Sequence, residues 1–331
     1  MRKQGRYMPF STATAIAHPN IAFIKYWGNR DEEIRLPQNG SISMNLGDLT
    51  TRTTITFDSN LPRDTFDLNG VRQSGKMLER VSNHLNLIRG IRGFSSPAHI
   101  FSETNVPPGA GLASSAAAFA ALTVAAVRAA GIEMSEKDLS RLARRGSGSA
   151  ARSIPAGFVE WYRGKEDADS YAMTIAPASH WDLVDCIAIV ETSHKLIGST
   201  DGHKAAASSP LQAARVKDAE RRLDLCRSAI LQHDFVALSH ILELDSNLLH
   251  AVAMTSNPAI YYWLPATLSI MHAVITWRNS GLPVAFTIDA GPNVHVICEE
   301  KSKTMVIEKL THIEGVQQVI ASGVGAGARL V

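Results

Sequence analysis

"PPGAGLASSAAAF", residues 107–119, places two glycines and two serines where a loop enters an alanine-rich run. That run reads as a helix from Ala113 to Ala130, stopped by Gly131. The first-turn amides of a helix have no intrahelical partners, and the helix dipole draws anions to that end. Gly109 and Gly111 would let backbone approach a phosphate closely, and Ser114 and Ser115 would add hydroxyl donors. Tight packing at an Ala/Gly helix start is the alternative. No G-x-x-x-x-G-K-[ST] pattern occurs, so this is not a Walker A loop.

Outward from this loop, "TRTTITFD" (51–58) and "PAHIFSET" (97–104) read as strands from their β-branched content. "MSEKDLSRLARRG" reads as a helix opened by a Ser135–Asp138 capping box, with Leu139 and Leu142 as its apolar stripe. After about residue 182 the pattern restarts. "VDCIAIVET" is a buried strand, 210–232 a long amphipathic helix beginning at Pro210, and "PVAFTIDAGPNVHVICEE" a hairpin turning at Gly291-Pro292-Asn293. A last helix is expected over 301–311. Strands and helices mix without regular βαβ alternation, which predicts an α+β fold in two domains, 1–182 and 183–331.

The composition excludes several classes. Of 331 residues, 45% are hydrophobic and 19% charged, an ordinary soluble composition. Thirty-three basic against 31 acidic residues leave a net charge of +2, too small for a dedicated nucleic-acid binder. The N-terminal stretch has no apolar h-region, and the Leu112–Val127 run is too short and too alanine-rich to span a bilayer. Cys186, Cys226 and Cys298 form no C-x-x-C pair and read as reduced core residues. A cytoplasmic protein with no membrane partner is expected.

Three further stretches carry chemistry. "RRGSGSAARS" (144–153) sets small residues beside arginines; it reads as an anion nest with Arg152 as a carboxylate or phosphate fork, or as a helix C-cap and surface turn. In "TIDAGPN", Asp289 ends an apolar strand, as catalytic carboxylates and Asx-turn residues both do. In "HPNIAFIKYWGNRDEEIRLPQNGSISMNL" (18–46), Lys25, Tyr26 and Arg30 could ring an anion and Asn20 could orient a partner; taken singly, these residues fit a strand–turn–strand equally well.

Together and in this order, these stretches resemble the GHMP superfamily of ATP-dependent small-molecule kinases, and within it the mevalonate 5-diphosphate decarboxylases. "NIAFIKYWGNRDEEIRLPQNGSIS", "PPGAGLASSAAAFAAL", "RLARRGSGSAARSIPAGFVEW", "DSNLLHA" and "TIDAGPN" carry the likeness from residue 20 to 293. The resemblance implies a ribosomal-S5-like N-terminal domain, a ferredoxin-like C-terminal domain, and an active site between them that uses ATP and Mg²⁺. It also implies a phosphorylated mevalonate as small-molecule substrate and, frequently in this family, a homodimer. By position, Asp289 matches the aspartate facing the 3-hydroxyl, and Arg152, with Asn20 beside it, the arginine holding the substrate carboxylate. Gly109, Gly111, Ser114 and Ser115 match the ATP phosphate loop. Ser147 and Ser149 match serines contacting substrate phosphate or ATP. Lys25 and Tyr26 match residues near the 5-phosphate, and Ser199 a serine lining the site from the second domain. No metal ligand is assigned.

The chain also departs from the family pattern. "KYWGN" replaces the common KYWGK, so Asn29 stands where a lysine is usual, and Gly202-His203 replaces a glycine–methionine pair. Losing a cation favours a substrate with one fewer phosphate, because an unpaired phosphate is costly to desolvate. The expectation is therefore a mevalonate 5-phosphate decarboxylase, unless a lysine such as Lys76 or Lys195 compensates.

Overall fold

In the computed structural model, which describes residues 11–107, 114–192 and 198–331, the chain begins with a β-rich stretch. Strands β1 (Thr12–Ala17), β2 (Asn20–Ile24), β3 (Asn29–Asp31), β4 (Leu36–Pro37), β5 (Ser41–Asn45), β6 (Thr51–Phe57), β7 (Thr65–Leu68) and β8 (Val71–Gln73) precede helix α1 (Gly75–Arg92). Then come β9 (Ala98–Thr104), α2 (Ser114–Ala129), α3 (Glu136–Gly146), a 3₁₀ turn at Gly148–Ser153, β10 (Phe158–Trp161) and β11 (Ala172–Ala176). The second half runs β12 (Leu183–Ile189), α4 (Ser199–Ala205), α5 (Gln212–Lys217), α6 (Ala219–Gln232), α7 (Phe235–Met254) and α8 (Pro265–Asn279). It closes with β13 (Val284–Thr287), β14 (Val294–Glu299), α9 (Lys303–Thr311), β15 (Gln318–Gly323) and β16 (Arg329–Leu330).

The architecture is α+β. One sheet has the order β16-β1-β6-β9-β7-β8, a second β11-β10-β5-β2, and a third, in the second half, β13-β14-β12-β15. Alternation along β6 buries Thr51, Thr53, Ile55 and Phe57 on one face. Against that face lies α2, whose alanines 116, 117, 120, 121, 125 and 126 are almost wholly buried. Small side chains let the helix sit close to the sheet, so its loop end is placed firmly. The two halves interlock: β16 pairs with β1, and Gly47 and Gly325 exchange backbone bonds with Gly323 and Asn45.

Two sequence expectations change. The single helix over 210–232 is split at Asp218, whose carboxylate accepts from Arg221 and Arg222. The sequence reading also places no helix at α1, α7 or α8. Their start signals are local: Asp234 accepts from the Ala237 amide at 2.9 Å, and Pro265 opens α8. In α1 only Val81, Leu85 and Ile88 form an apolar stripe in a polar segment.

Candidate active site

β2, the 3₁₀ turn after α3, the start of α2, α4 and the β13–β14 loop enclose a cavity of about 220 Å³. Asn20, Lys25, Tyr26, Ser114, Ser115, Ser147, Ser149, Arg152, Ser199 and Asp289 all line it. Gly109 and Gly111 lie outside the described residues.

At the floor, Lys25 Nζ donates to Asp289 Oδ1 at 2.6 Å and to the Ala22 carbonyl at 2.7 Å. The Lys25 side chain is 1% exposed and that of Asp289 27%, so the carboxylate faces the cavity and the ammonium lies behind it. Burial works against ionisation of Asp289, but Lys25, His295 and Arg152 outweigh it and hold the carboxyl below its ordinary range. Burial likewise lowers the Lys25 ammonium, against the pull of Asp289. The ammonium is thus paired with Asp289 at the cavity floor, a partner that the position match, near the 5-phosphate, did not name. A serine on α7 fixes the strand end that presents Asp289: Ser246 Oγ accepts from the Ile288 amide at 2.9 Å.

Lys25, His295 and Arg152 thus favour the ionised form of Asp289 against the cost of burial. Lys25→Met removes its nearest cation and leaves burial dominant. The acid limb of kcat/KM is therefore expected to move up through the ordinary carboxylate value, read from a pH–rate profile. A variant with the wild-type acid limb would separate Lys25 from the ionisation of Asp289.

Arg152 is 3% exposed. Its Nε and Nη2 donate to Asn20 Oδ1 at 3.2 and 3.1 Å, and its Nη1 donates to Ser41 Oγ. Asn20 is itself oriented, since its Nδ2 donates to Ser153 Oγ at 2.8 Å. A guanidinium has five N–H donors, so two remain, one on each terminal nitrogen, for an anion in the cavity. Burial lowers the Arg152 pKa to about 10, which leaves it cationic at neutral pH.

Ser115 and Ser147 bring their hydroxyls within 3.1 Å across the loop–helix junction. The glycines of the GSGSAARS run serve close approach: a Cβ on Gly148 would overlap the Tyr26 ring, and one on Gly146 would overlap Phe119. The glycines of this stretch thus serve packing, and Arg152 is among its members that line the cavity. Arg144 is fully buried, and its guanidinium is bound to Asp167 and to the Ile34 and Ser170 carbonyls. With Arg152 also buried, these arginines make no exposed basic face.

The opposite wall is aromatic. Tyr26 donates to Asn29 Oδ1, while Asn29 Nδ2 donates to Glu32 Oε2 at 2.9 Å. Position 29 is thus neutral and tied on both sides. His203, half-buried on α4, stacks on Tyr26 at 4.1 Å and Trp27 at 4.8 Å. Its Nδ1 accepts from the Gly28 amide at 2.9 Å, so the ring proton sits on Nε2. Burial, then the charges of Arg35 and Arg215, push its pKa down to about 3, so it is neutral. Gly202 permits this docking, because a Cβ there would overlap Trp27.

Two basic residues do not join the site. Arg30 points away and donates to the Gly164 and Arg163 carbonyls at 2.7 and 3.2 Å. Lys76 is exposed on the first turn of α1 and does not line the cavity, while Lys195 lies outside the described residues. Residues that the sequence reading missed hold the site from behind. Asp245 Oδ1 accepts from the Lys25 amide at 2.8 Å and Oδ2 from Arg222 Nε at 2.6 Å, while Arg215 donates to the Lys25 carbonyl at 2.8 Å. Asp245 lies in "DSNLLHA"; an aspartate amid the apolar positions of a helix was the available signal. Among the described residues no group of three or more His, Cys, Asp or Glu could hold a metal ion, and no helix is long and apolar enough to cross a membrane.

Residues 17–172 match the diphosphomevalonate decarboxylase-like N-terminal domain, and residues 186–329 the mevalonate 5-diphosphate decarboxylase C-terminal domain. The diphosphomevalonate decarboxylase of Saccharomyces cerevisiae is 38% identical over 320 residues, covering 89% of this chain and 80% of its own. The phosphomevalonate decarboxylase of Haloferax volcanii is 33% identical over 311 residues, covering 93% of this chain and 92% of its own. Two solved structures, the mevalonate diphosphate decarboxylase from Enterococcus faecalis and "MDDEF in complex with MVAPP, AMPPCP and Magnesium", are each 38% identical with a TM-score of 0.91. Each covers 98% of this chain and 99% of its own.

Proposed function

This chain belongs to the diphosphomevalonate decarboxylase family, and from that premise we propose that it converts (R)-mevalonate 5-phosphate and ATP to isopentenyl phosphate, ADP, phosphate and CO₂. The family supplies the reaction type. The monophosphate reading rests on position 29: where the family pattern has a lysine, Asn29 brings no charge, and its amide is tied to the Glu32 carboxylate. A diphosphate would lack the cation that the common lysine brings. The diphosphate reading rests on the naming of relatives such as that of S. cerevisiae; the Haloferax relative carries the monophosphate name.

A tertiary alcohol is a poor leaving group, which is why ATP is consumed. In this reading the substrate's C3 hydroxyl donates a hydrogen bond to Asp289. Its oxygen attacks the γ-phosphorus while the bond to the β-phosphate oxygen breaks, giving ADP. A carboxylate with a lowered pKa is a weak base, but phosphoryl transfer asks for little early deprotonation; positioning comes first and the proton moves late. The C3–O bond then breaks with phosphate taking the electron pair, and the C1–C2 electrons close the C2–C3 double bond as CO₂ leaves. Arg152, with its two free N–H groups, holds the carboxylate until that step. A kinase that stops at the 3-phosphate is the other reading, and the joint presence of Asp289 and Arg152 disfavours it.

Hydroxyls of Ser115 and Ser147, with the first turn of α2, would hold the nucleotide phosphates. Mg²⁺ takes much of its shell from phosphate oxygens and water, so the donor set fits it without a carboxylate cage. When bound, it neutralises charge on the phosphates. A cytoplasmic location and a homodimeric state extend this proposal from the family resemblance.

The test compares mevalonate, its 5-phosphate and its 5-diphosphate with ATP and Mg²⁺, following ADP and CO₂ together. The highest kcat/KM is expected for the monophosphate, with ADP and CO₂ in equal amounts. Asn29→Lys is expected to shift the ratio roughly tenfold toward the diphosphate, the worth of one charge-assisted contact. Preference for the diphosphate in the wild-type protein would overturn the reading, and ADP without CO₂ would make the protein a kinase.

A further inference from the structure

The β3–β4 hairpin sends one arginine away from the cavity and another into it. Arg30 spends its guanidinium on backbone carbonyls, whereas Arg35, in the turn before β4, lines the cavity. Arg35 has a φ of 50°, in the left-handed region. The other non-glycine residues described there are Asn69 and His233, types that visit this region more readily than arginine. The turn is therefore held in a conformation whose visible result is to aim this side chain inward.

The guanidinium is also largely unspent. Its Nε donates to the Arg145 carbonyl at 3.2 Å, and among the described residues its terminal nitrogens have no hydrogen bond or carboxylate partner. Arg80, on α1, also lines the cavity, its guanidinium 5.2 Å from the Phe119 ring centre and without a carboxylate. By contrast, the buried guanidinium groups of Arg144 and Arg222 meet carboxylates, Asp167 and Asp245. Two arginines without a carboxylate partner lining one cavity make a site for a dianion. The charge of Arg35 bears on both Tyr26 and His203 of the aromatic wall, and Tyr26 in turn donates to the neutral Asn29.

We propose that Arg35 is a specificity-determining residue of the substrate-phosphate subsite, its free guanidinium edge receiving the 5-phosphate monoester in place of a cation at position 29. This rests on the decarboxylase reading above and adds to it the group that reads the phosphate. Arg80 lines the same cavity as a second positive charge.

Initial rates of full-length Arg35→Gln and Arg35→Lys with Mg²⁺ and ATP test this, varying mevalonate 5-phosphate and ATP in turn. Arg35→Gln is expected to raise KM for the phosphorylated substrate roughly 10- to 100-fold, as loss of a charge-assisted hydrogen bond would. KM for ATP should stay within about twofold, because only the substrate arm is touched. Arg35→Lys should recover part of the loss, since charge returns without the fork. An unchanged KM for the phosphorylated substrate, or a rise confined to ATP, would overturn the proposal. The two readings fail separately. A wild-type preference for the diphosphate sinks the monophosphate assignment, and an Arg35→Gln variant with wild-type KM for the preferred ester sinks the role of Arg35.

Discussion

Asp289→Asn is expected to abolish CO₂ release while leaving ATP binding near that of the wild type. The amide cannot take a proton from the C3 hydroxyl, and the substitution removes the carboxylate that Lys25 Nζ meets at 2.6 Å. Loss of a general base alone lowers turnover by about 10²- to 10⁴-fold. Here an ammonium with 1% side-chain exposure also loses its counter-charge. It would shed its proton or shift, so the floor of the pocket would no longer present the same field. The serines proposed to hold nucleotide phosphates are on α2 and after α3 and make no hydrogen bond to this pair, which is why ATP affinity should persist. Release of labelled CO₂ and calorimetric titration with ATP read the two effects independently. Full turnover by the variant would remove Asp289 from the chemistry.

The second large effect is on stability. Asp245 is fully buried and accepts from the Lys25 amide, Arg222 and, at 3.5 Å, Arg215. Asp245→Ala leaves two buried guanidinium groups facing each other with no counter-charge at their centre. Breaking a buried ion pair from one side costs about 3–5 kcal/mol. The thermal midpoint should therefore fall by several degrees, more than for any single change on the exposed surface. Activity should fall as well in the fraction that remains folded, because the Lys25 backbone loses one of its anchors. Pairing Asp245→Ala with Arg222→Met should recover part of the midpoint, since the unpaired charge is then removed rather than exposed. A single variant that melts with the wild type would show that Arg215 and Arg222 are satisfied by their other acceptors.

What could be read in the chain itself follows from local periodicity. Threonine–apolar alternation marks β6, the alanine run marks α2, and Ser135 with Asp138 marks the start of α3, where the Ser135 side chain accepts from the Asp138 amide. These signals need only neighbours within one turn or one strand, so they survive without a fold. The helix over 210–232 failed for a related reason: its apolar pattern is continuous, and the break is made by one aspartate choosing between the helix and two nearby arginines.

Motif order was enough to name the family and to nominate residues, but not to say what each nominee touches. Lys25 was placed near a phosphate by position, and the structure sets its ammonium on Asp289, 264 residues away. Arg30 and Arg35 lie five apart in one charged turn, and nothing local says which enters the cavity; the backbone conformation at Arg35 and the carbonyls that capture Arg30 do. Asp245 and the Lys25 amide are 220 residues apart. The sequence by itself thus determined the elements with strong local signals, the family and the list of chemical groups. The tertiary structure alone decided which charges are neutralised by partners and which remain free for a ligand, because pairing depends on distances and burial that arise only when remote segments pack.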